Sequence, residues 1–153
     1  MHTGDIIAPP DDKFFMQRAL HEAQLALERG EVPVGAVVVA RDQIIARAHN
    51  LTETLNDVTA HAEMQAITSA ANYLGGKYLQ DCTLYVTLEP CSMCAGALYW
   101  SQVGRVVYGA SDQHRGFRVK GGELHPKTKF HGGVLEEDCA AILQDFFRSK
   151  RKN

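Results

Sequence analysis

No stretch of the sequence approaches the roughly 20 consecutive apolar residues needed to cross a bilayer, so a membrane-spanning helix is not expected. The first residues, Met1-His2-Thr3-Gly4-Asp5, show no basic leader followed by an apolar run and a small-residue cleavage site, which makes the cytoplasm the default location. Neither sign of charge prevails. Sixteen Lys and Arg against 18 Asp and Glu leave a formal charge of −2, which excludes a uniformly basic nucleic-acid binder and leaves room for a local positive face. Internal repeats, linkers and low-complexity tracts are missing too, so residues 1–153 are read as one domain, with 1–12 a loose arm ending in a helix cap. A chain of this size buries a core without disulfide staples. Cysteine is sparse, at 82, 91, 94 and 139, and a Cys91-x-x-Cys94 pair in a chain expected in the cytosol points to metal or redox chemistry before a disulfide.

What is present is an alternation of helical and extended patterns. Phe15, Ala19, Ala23, Ala26 and Leu27 recur at helical spacing over 13–29, and Gly30 stops that helix. The run 34–39 is continuously apolar and rich in valine; with a turn at Arg41-Asp42-Gln43 and a second run at 44–46 it predicts a hairpin. A polar loop over 49–59 leads to an alanine-rich helix over 60–74, ended by Gly75-Gly76. Residues 83–88 form a strand running into Glu89-Pro90-Cys91, followed by a helix over 91–101, a strand over 105–109 and an amphipathic helix over 135–150. This alternation predicts an α/β fold, three-layered α/β/α, with helices on both faces of a mixed central sheet of about five strands.

Two short segments carry chemistry. His61-Ala62-Glu63 opens one predicted helix, and Pro90-Cys91-Ser92-Met93-Cys94 opens another. Cys91 and Cys94, three apart, share a helix face, and thiolates gain from the positive end of the helix dipole; Pro90 suits a helix entry, where its missing N–H would be unpaired anyway. One imidazole and two thiolates give three protein ligands for one Zn2+ per chain, with the fourth position left to water. A purely structural zinc would require a fourth protein ligand. Cys82 is excluded because six strand residues at about 3.3 Å each put it roughly 20 Å away, while Cys139, His125 and His131 stay open. Glu63, two positions beyond His61, points to another side of the helix and would stand beside the metal without binding it, which is the place for a general base acting on water whose pKa zinc lowers to about 7. The plainer role for Glu63 is that of an acid in the first turn of a helix.

At these residues the sequence resembles the cytidine and nucleobase deaminase superfamily, whose H-x-E…P-C-x-x-C signature is reproduced in order. The likeness continues through 31–37, His49-Asn50, 59–63, 84–91 and 139–148, where the chain looks like the bacterial tRNA adenosine deaminases, and it covers about residues 13 to 152. That resemblance implies a cytidine deaminase-like fold and zinc-dependent conversion of adenosine to inosine at the wobble position of a tRNA anticodon. It implies Glu63 as the catalytic proton carrier, Asn50 holding the flipped nucleoside, Asp112 near the neighbouring nucleotide, and a homodimer. In that setting Arg115, Arg118, Lys120 and the tail from Arg148 to Lys152 are the candidates for gripping the phosphates of the tRNA anticodon loop. Two features depart from the pattern: Val58 stands where many relatives have proline, and the segment from Gln113 to Lys129, where RNA contacts are expected, lacks the usual small-residue run. A guanine or other free-base deaminase is an alternative, since Leu98-Tyr99-Trp100 is similar to that branch, although the basic C-terminus counts against it. A non-catalytic zinc RNA-binding module would keep the ligands and have no need of Glu63. The small residues Ala95-Gly96-Ala97 beside Tyr99-Trp100 suit either close packing with a second copy or an ordinary core.

Overall fold

The computed structural model describes residues 10–151. Helix α1 (Asp12–Glu28) starts where the Asp11 side chain accepts the Phe14 N–H at 2.9 Å, and the chain leaves it through Gly30 at φ 78°. Asp12, expected in the arm, is thus the first helical residue, and residues 1–9 of that arm lie outside the described residues. Strands β1 (Gly35–Ala40) and β2 (Gln43–His49) form the expected hairpin. Its two turn residues, Arg41 and Asp42, both take positive φ, 51° and 61°, as a two-residue hairpin loop requires. Helix α2 (Ala62–Leu74) buries Ala62, Ala66 and Ala70 at four-residue spacing and ends at Gly75 in the left-handed conformation. The chain continues through β3 (Cys82–Leu88), α3 (Ser92–Ser101), β4 (Arg105–Ala110), α4 (Phe117–Lys120), β5 (Lys129–His131) and α5 (Glu136–Arg151). No helix among the described residues is long and apolar enough to cross a membrane.

The sheet order is β2-β1-β3-β4-β5, with β1 antiparallel to both β2 and β3 and with β3, β4 and β5 parallel, which makes the mixed five-stranded α/β fold that the alternation predicts. The fifth strand was not placed from the pattern because Lys129, Phe130 and His131 are all exposed, so backbone pairing to β4 defines that edge and no alternation of burial marks it. Period-two alternation holds in the central strands. Ala36, Val38, Leu84, Val86 and Val106 pack with α2 and Leu98 of α3, whereas Val37, Val39, Tyr85 and Val107 pack with Phe15, Met16 and Ala19 of α1 and Cys139 of α5. Because β1 runs against β3, the start of β1 lies beside the end of β3, and the end of β2 lies beside the start of β1: Ala36 is opposite Val86 and Gly35 opposite His49. The segments entering β1 and leaving β2, β3 and β4 therefore converge at one end of the sheet, the usual place for a ligand crevice in an open α/β sheet.

Three carboxylates lock this frame. Asp12 accepts the Tyr85 hydroxyl at 2.7 Å and both Arg105 amines, at 2.8 and 2.6 Å, and that Arg105 contact holds its pKa below the ordinary range. Glu31 and Glu89 are buried; burial alone would raise their pKa values, but hydrogen bonds from Thr54 to one and from Arg118 to the other leave both below the ordinary value. A carboxyl with a lowered folded pKa stabilises the fold fully above its unfolded pKa of about 4, and that stabilisation is lost as pH falls through the folded value. Urea unfolding is accordingly expected to show stability dropping below about pH 4, with part of the drop removed in Asp12→Asn. Stability that rises on acidification would contradict this network.

Candidate active site

His61 is the N-cap of α2 and Cys91 the N-cap of α3, both in extended backbone, and Cys94 lies fully buried in the first turn of α3. The His61 Nδ1 atom is 3.6 Å from the Cys91 Sγ and 3.5 Å from the Cys94 Sγ, and the three donor atoms lie within 4.8 Å of one another. A tetrahedral zinc with nitrogen at about 2.0 Å and sulfur at about 2.3 Å holds two such ligands about 3.5 Å apart, so these residues fit the ion. Among the described residues no further His, Cys or carboxylate joins the group, and Cys82, Cys139, His125 and His131 do not complete it. The set leaves one coordination position open. Hydrogen bonding from the Cys94 thiol, and then from His61, pushes the Cys91 thiol down to about 4; the same contacts hold Cys94 protonated and raise His61. Taking up a metal on both thiolates releases the proton that Cys94 holds.

Glu63 is 4% exposed, and no cation forms an ion pair with it among the described residues. Burial pushes its carboxyl up to about 7, against the opposing pull of His61. A carboxyl that exchanges its proton near neutral pH suits general acid–base chemistry.

His61, Glu63 and Cys91 line a cavity of about 480 Å3, and Asn50, Asp112 and Arg115 line the same cavity. Of the residues expected to contact substrate, Asn50, Asp112 and Arg115 are therefore brought together with the metal donors. Asn50 is buried and braced, its amide nitrogen donating to the Val32 carbonyl and its oxygen accepting the Thr52 N–H, each at 3.4 Å. Asp112 accepts the N–H groups of His114 and Arg115 at 3.0 and 2.9 Å, a turn that places both residues on the cavity wall. Arg148 does not line the cavity; it pairs with Asp145 at 3.0 Å on the exposed face of α5, and its neighbour Phe147 faces the cavity in its place. Arg118 is committed to an ion pair within the chain: its guanidinium forks onto the buried carboxylate of Glu89, at 3.2 and 3.0 Å, while its side chain stays 45% exposed. Lys120 is exposed as expected, and Lys152 lies outside the described residues.

The supporting carboxylates Glu31 and Glu89 were not singled out by sequence reasoning. Glu31 is fully buried and accepts the N–H groups of Glu53 and Thr54 and the Thr54 hydroxyl, which fixes the loop after Asn50. Each stands as a lone acid next to an apolar run, Glu31 before Val32-Pro33-Val34 and Glu89 after Val86-Thr87-Leu88, and that is the signal that marks them.

Three metal donors, an open coordination position and a buried carboxylate, set at the strand ends of a mixed sheet, define a zinc-dependent hydrolase of the deaminase class. Residues 9–110 match the family described as the cytidine and deoxycytidylate deaminase zinc-binding region. The chain is 48% identical over 147 residues to the tRNA-specific adenosine deaminase of Bacillus subtilis (strain 168), covering 92% of this chain and 91% of that one. A solved structure from studies of A-to-I editing at the wobble position of transfer RNA superposes with a TM-score of 0.79 at 44% identity, covering 84% of this chain and 98% of that chain. The guanine deaminase of Bacillus subtilis superposes with a TM-score of 0.64 at 42% identity, covering 67% of this chain and 66% of that chain. The chain belongs to the zinc-dependent deaminase family, in its tRNA-specific adenosine deaminase branch.

Proposed function

We propose that this deaminase converts adenosine to inosine at the wobble position of a tRNA anticodon, acting in the cytoplasm as a homodimer. The observation that carries the substrate is the extent of the likeness. The likeness to the Bacillus subtilis tRNA-specific adenosine deaminase is 48% identity across 92% of the chain, whereas the likeness to the guanine deaminase of the same species is 42% identity across 67% of it. The C-terminal helix α5 supports the same reading, since it sets Phe147 against the cavity and carries Arg148, Lys150 and Arg151 in its last turn. In this reading Asn50 holds the extruded nucleoside, Asp112 and Arg115 contact the neighbouring nucleotides, and Arg148 adds positive charge along the backbone path.

His61, Cys91 and Cys94 would hold the zinc, which would supply Lewis-acid activation of water toward a pKa of about 7. Glu63 takes a proton from the attacking water and delivers it to N1 of the adenine ring, which makes C6 electrophilic. The hydroxide oxygen adds to C6, Glu63 takes the remaining proton from the new C6 hydroxyl and passes it to the exocyclic nitrogen, and the C6–N bond breaks to release ammonia and leave inosine. The backbone N–H groups at the starts of α2 and α3, around Ala62 and Cys91, face the charge that develops. C6 is out of reach inside a base stack, so extrusion into the cavity precedes chemistry.

The deciding experiment offers an anticodon stem-loop with adenosine at the wobble position and free guanine side by side. Inosine formed in the stem-loop with guanine untouched is the expected result; turnover of guanine alone overturns the substrate. For the homodimer, α3 presents Trp100, 76% exposed, with Met93 seven residues earlier on the same side. Sedimentation equilibrium of Trp100→Glu is expected to show a monomer.

A further inference from the structure

The buried carboxylate of Glu89 receives four hydrogen bonds from a single excursion of the chain. Its Oε1 accepts the Asp112 N–H at 3.1 Å and the Arg118 Nη2 at 3.0 Å, and its Oε2 accepts the Arg118 N–H and Nε, each at 3.2 Å. Arg118 is itself held from two further sides, by the Ser111 hydroxyl at 3.0 Å and by the Tyr108 ring at 5.3 Å. Gly116 passes so close that a Cβ there would lie 2.5 Å from the Glu89 carboxylate, and the Phe117 N–H donates to the Pro90 carbonyl at 2.9 Å. Both ends of the segment 112–118 are therefore pinned to one side chain. Between the pins lie His114 and Arg115, two residues of the cavity wall. The pin also stands two residues before the metal donor Cys91.

We infer that Glu89 and Arg118 are positioning residues for the substrate, clamping the cavity rim 112–117 to the loop that delivers Cys91, so that rim and metal site keep one fixed spacing. The inference deepens the proposed tRNA reading and rests on it where it names RNA as what the rim holds. Arginine is the residue suited to this clamp, because its planar fork reaches both carboxylate oxygens, which a lysine ammonium cannot do at once. Without the fork, Glu89 keeps only two backbone donors, the rim opens, and Arg115 and Asp112 lose their fixed distance from the reacting base.

The test compares Arg118→Ala, Arg118→Lys and Glu89→Gln with the wild type on the anticodon stem-loop, with zinc content and amide hydrogen exchange measured on each. Arg118→Ala is expected to raise KM on the order of 10- to 100-fold with kcat within about threefold and zinc still one per chain, since a misplaced binding group costs about this much. Exchange at 113–117 is expected to accelerate, and Arg118→Lys to fall between. Unchanged exchange, or faster exchange with unchanged KM, overturns the clamp. Loss of zinc or of kcat at constant KM overturns it as well, because Glu89 would then serve only the metal loop. Where Arg118→Ala fails to fold, the lysine variant carries the same comparison. A wild-type enzyme that turns over guanine and not the stem-loop overturns the substrate reading and the RNA role together, while the exchange rates still decide whether the rim is clamped.

Discussion

Replacing Glu63 with glutamine is expected to lower kcat for deamination of the stem-loop on the order of 10³- to 10⁴-fold while zinc content stays at one per chain. Glu63 is asked to accept and donate protons at three atoms in one cycle, the water oxygen, N1 and the exocyclic nitrogen, and general acid–base groups contribute about 10²- to 10⁴-fold even in a single role. Glutamine keeps the shape and removes the titrating proton. The fold should not suffer, since Glu63 is buried without an ion-pair partner among the described residues, and exchanging such a carboxyl for a neutral amide removes a desolvated charge. A thermal midpoint equal to or above that of the wild type is therefore expected alongside the lost turnover. Activity within tenfold of the wild type, by ammonia release or inosine formation, would reduce Glu63 to a helix-start acid and favour a zinc module that binds without catalysing.

The parts of this site that could be read from the sequence are those whose chemistry fixes a spacing. Zinc ligation requires side chains of particular types, helix starts supply thiolates at i and i+3, and the metal donors His61, Cys91 and Cys94 meet in the structure as that logic demands. The strands 35–40 and 82–88 were visible because burial on both faces leaves mainly apolar runs, interrupted only by Thr83 and Thr87 in the second. What escaped depends on partners distant in sequence. Arg118 reads as an unpaired cation in a basic segment until Glu89, 29 positions earlier, is placed against its guanidinium. The four-residue α4 and the three-residue β5 have no apolar period of their own; they exist because Pro90 and Gly104 accept hydrogen bonds from Phe117 and Lys129. Local pattern therefore located the metal chemistry, and tertiary contacts determined which basic residue is paired to a buried carboxylate.

Gly35→Ala is expected to cost about 3 kcal/mol of stability. A Cβ at Gly35 would sit 2.1 Å from the Ala19 carbonyl oxygen and 2.4 Å from the Ala23 nitrogen, both backbone atoms of α1 that no rotamer change can move aside. The approach is this close because Ala19 and Ala23 are small and fully buried, so α1 lies directly on the first residue of β1. Relieving the clash means lifting α1, and that withdraws Phe15 and Met16 from Val37 and Tyr85 on the same face of the sheet. A loss of this size consumes a large part of the roughly 5–15 kcal/mol that holds a domain folded. With a urea slope of about 2 kcal/mol per molar, the midpoint should fall by about 1.5 M. Gly76→Ala is the control, because nothing lies within 4 Å of its Cβ position and its φ is unexceptional, so a change within about 0.5 kcal/mol is expected. The strain also reaches the chemistry: the Gly35 N–H donates to the Thr87 hydroxyl at 3.1 Å, and its neighbour Val34 lines the cavity. The folded fraction of Gly35→Ala should therefore turn over substrate more slowly than its stability alone predicts. A variant as stable as the wild type would mean that α1 moves away from β1 at no cost, and that the glycine is not needed for the contact on which this wall of the cavity stands.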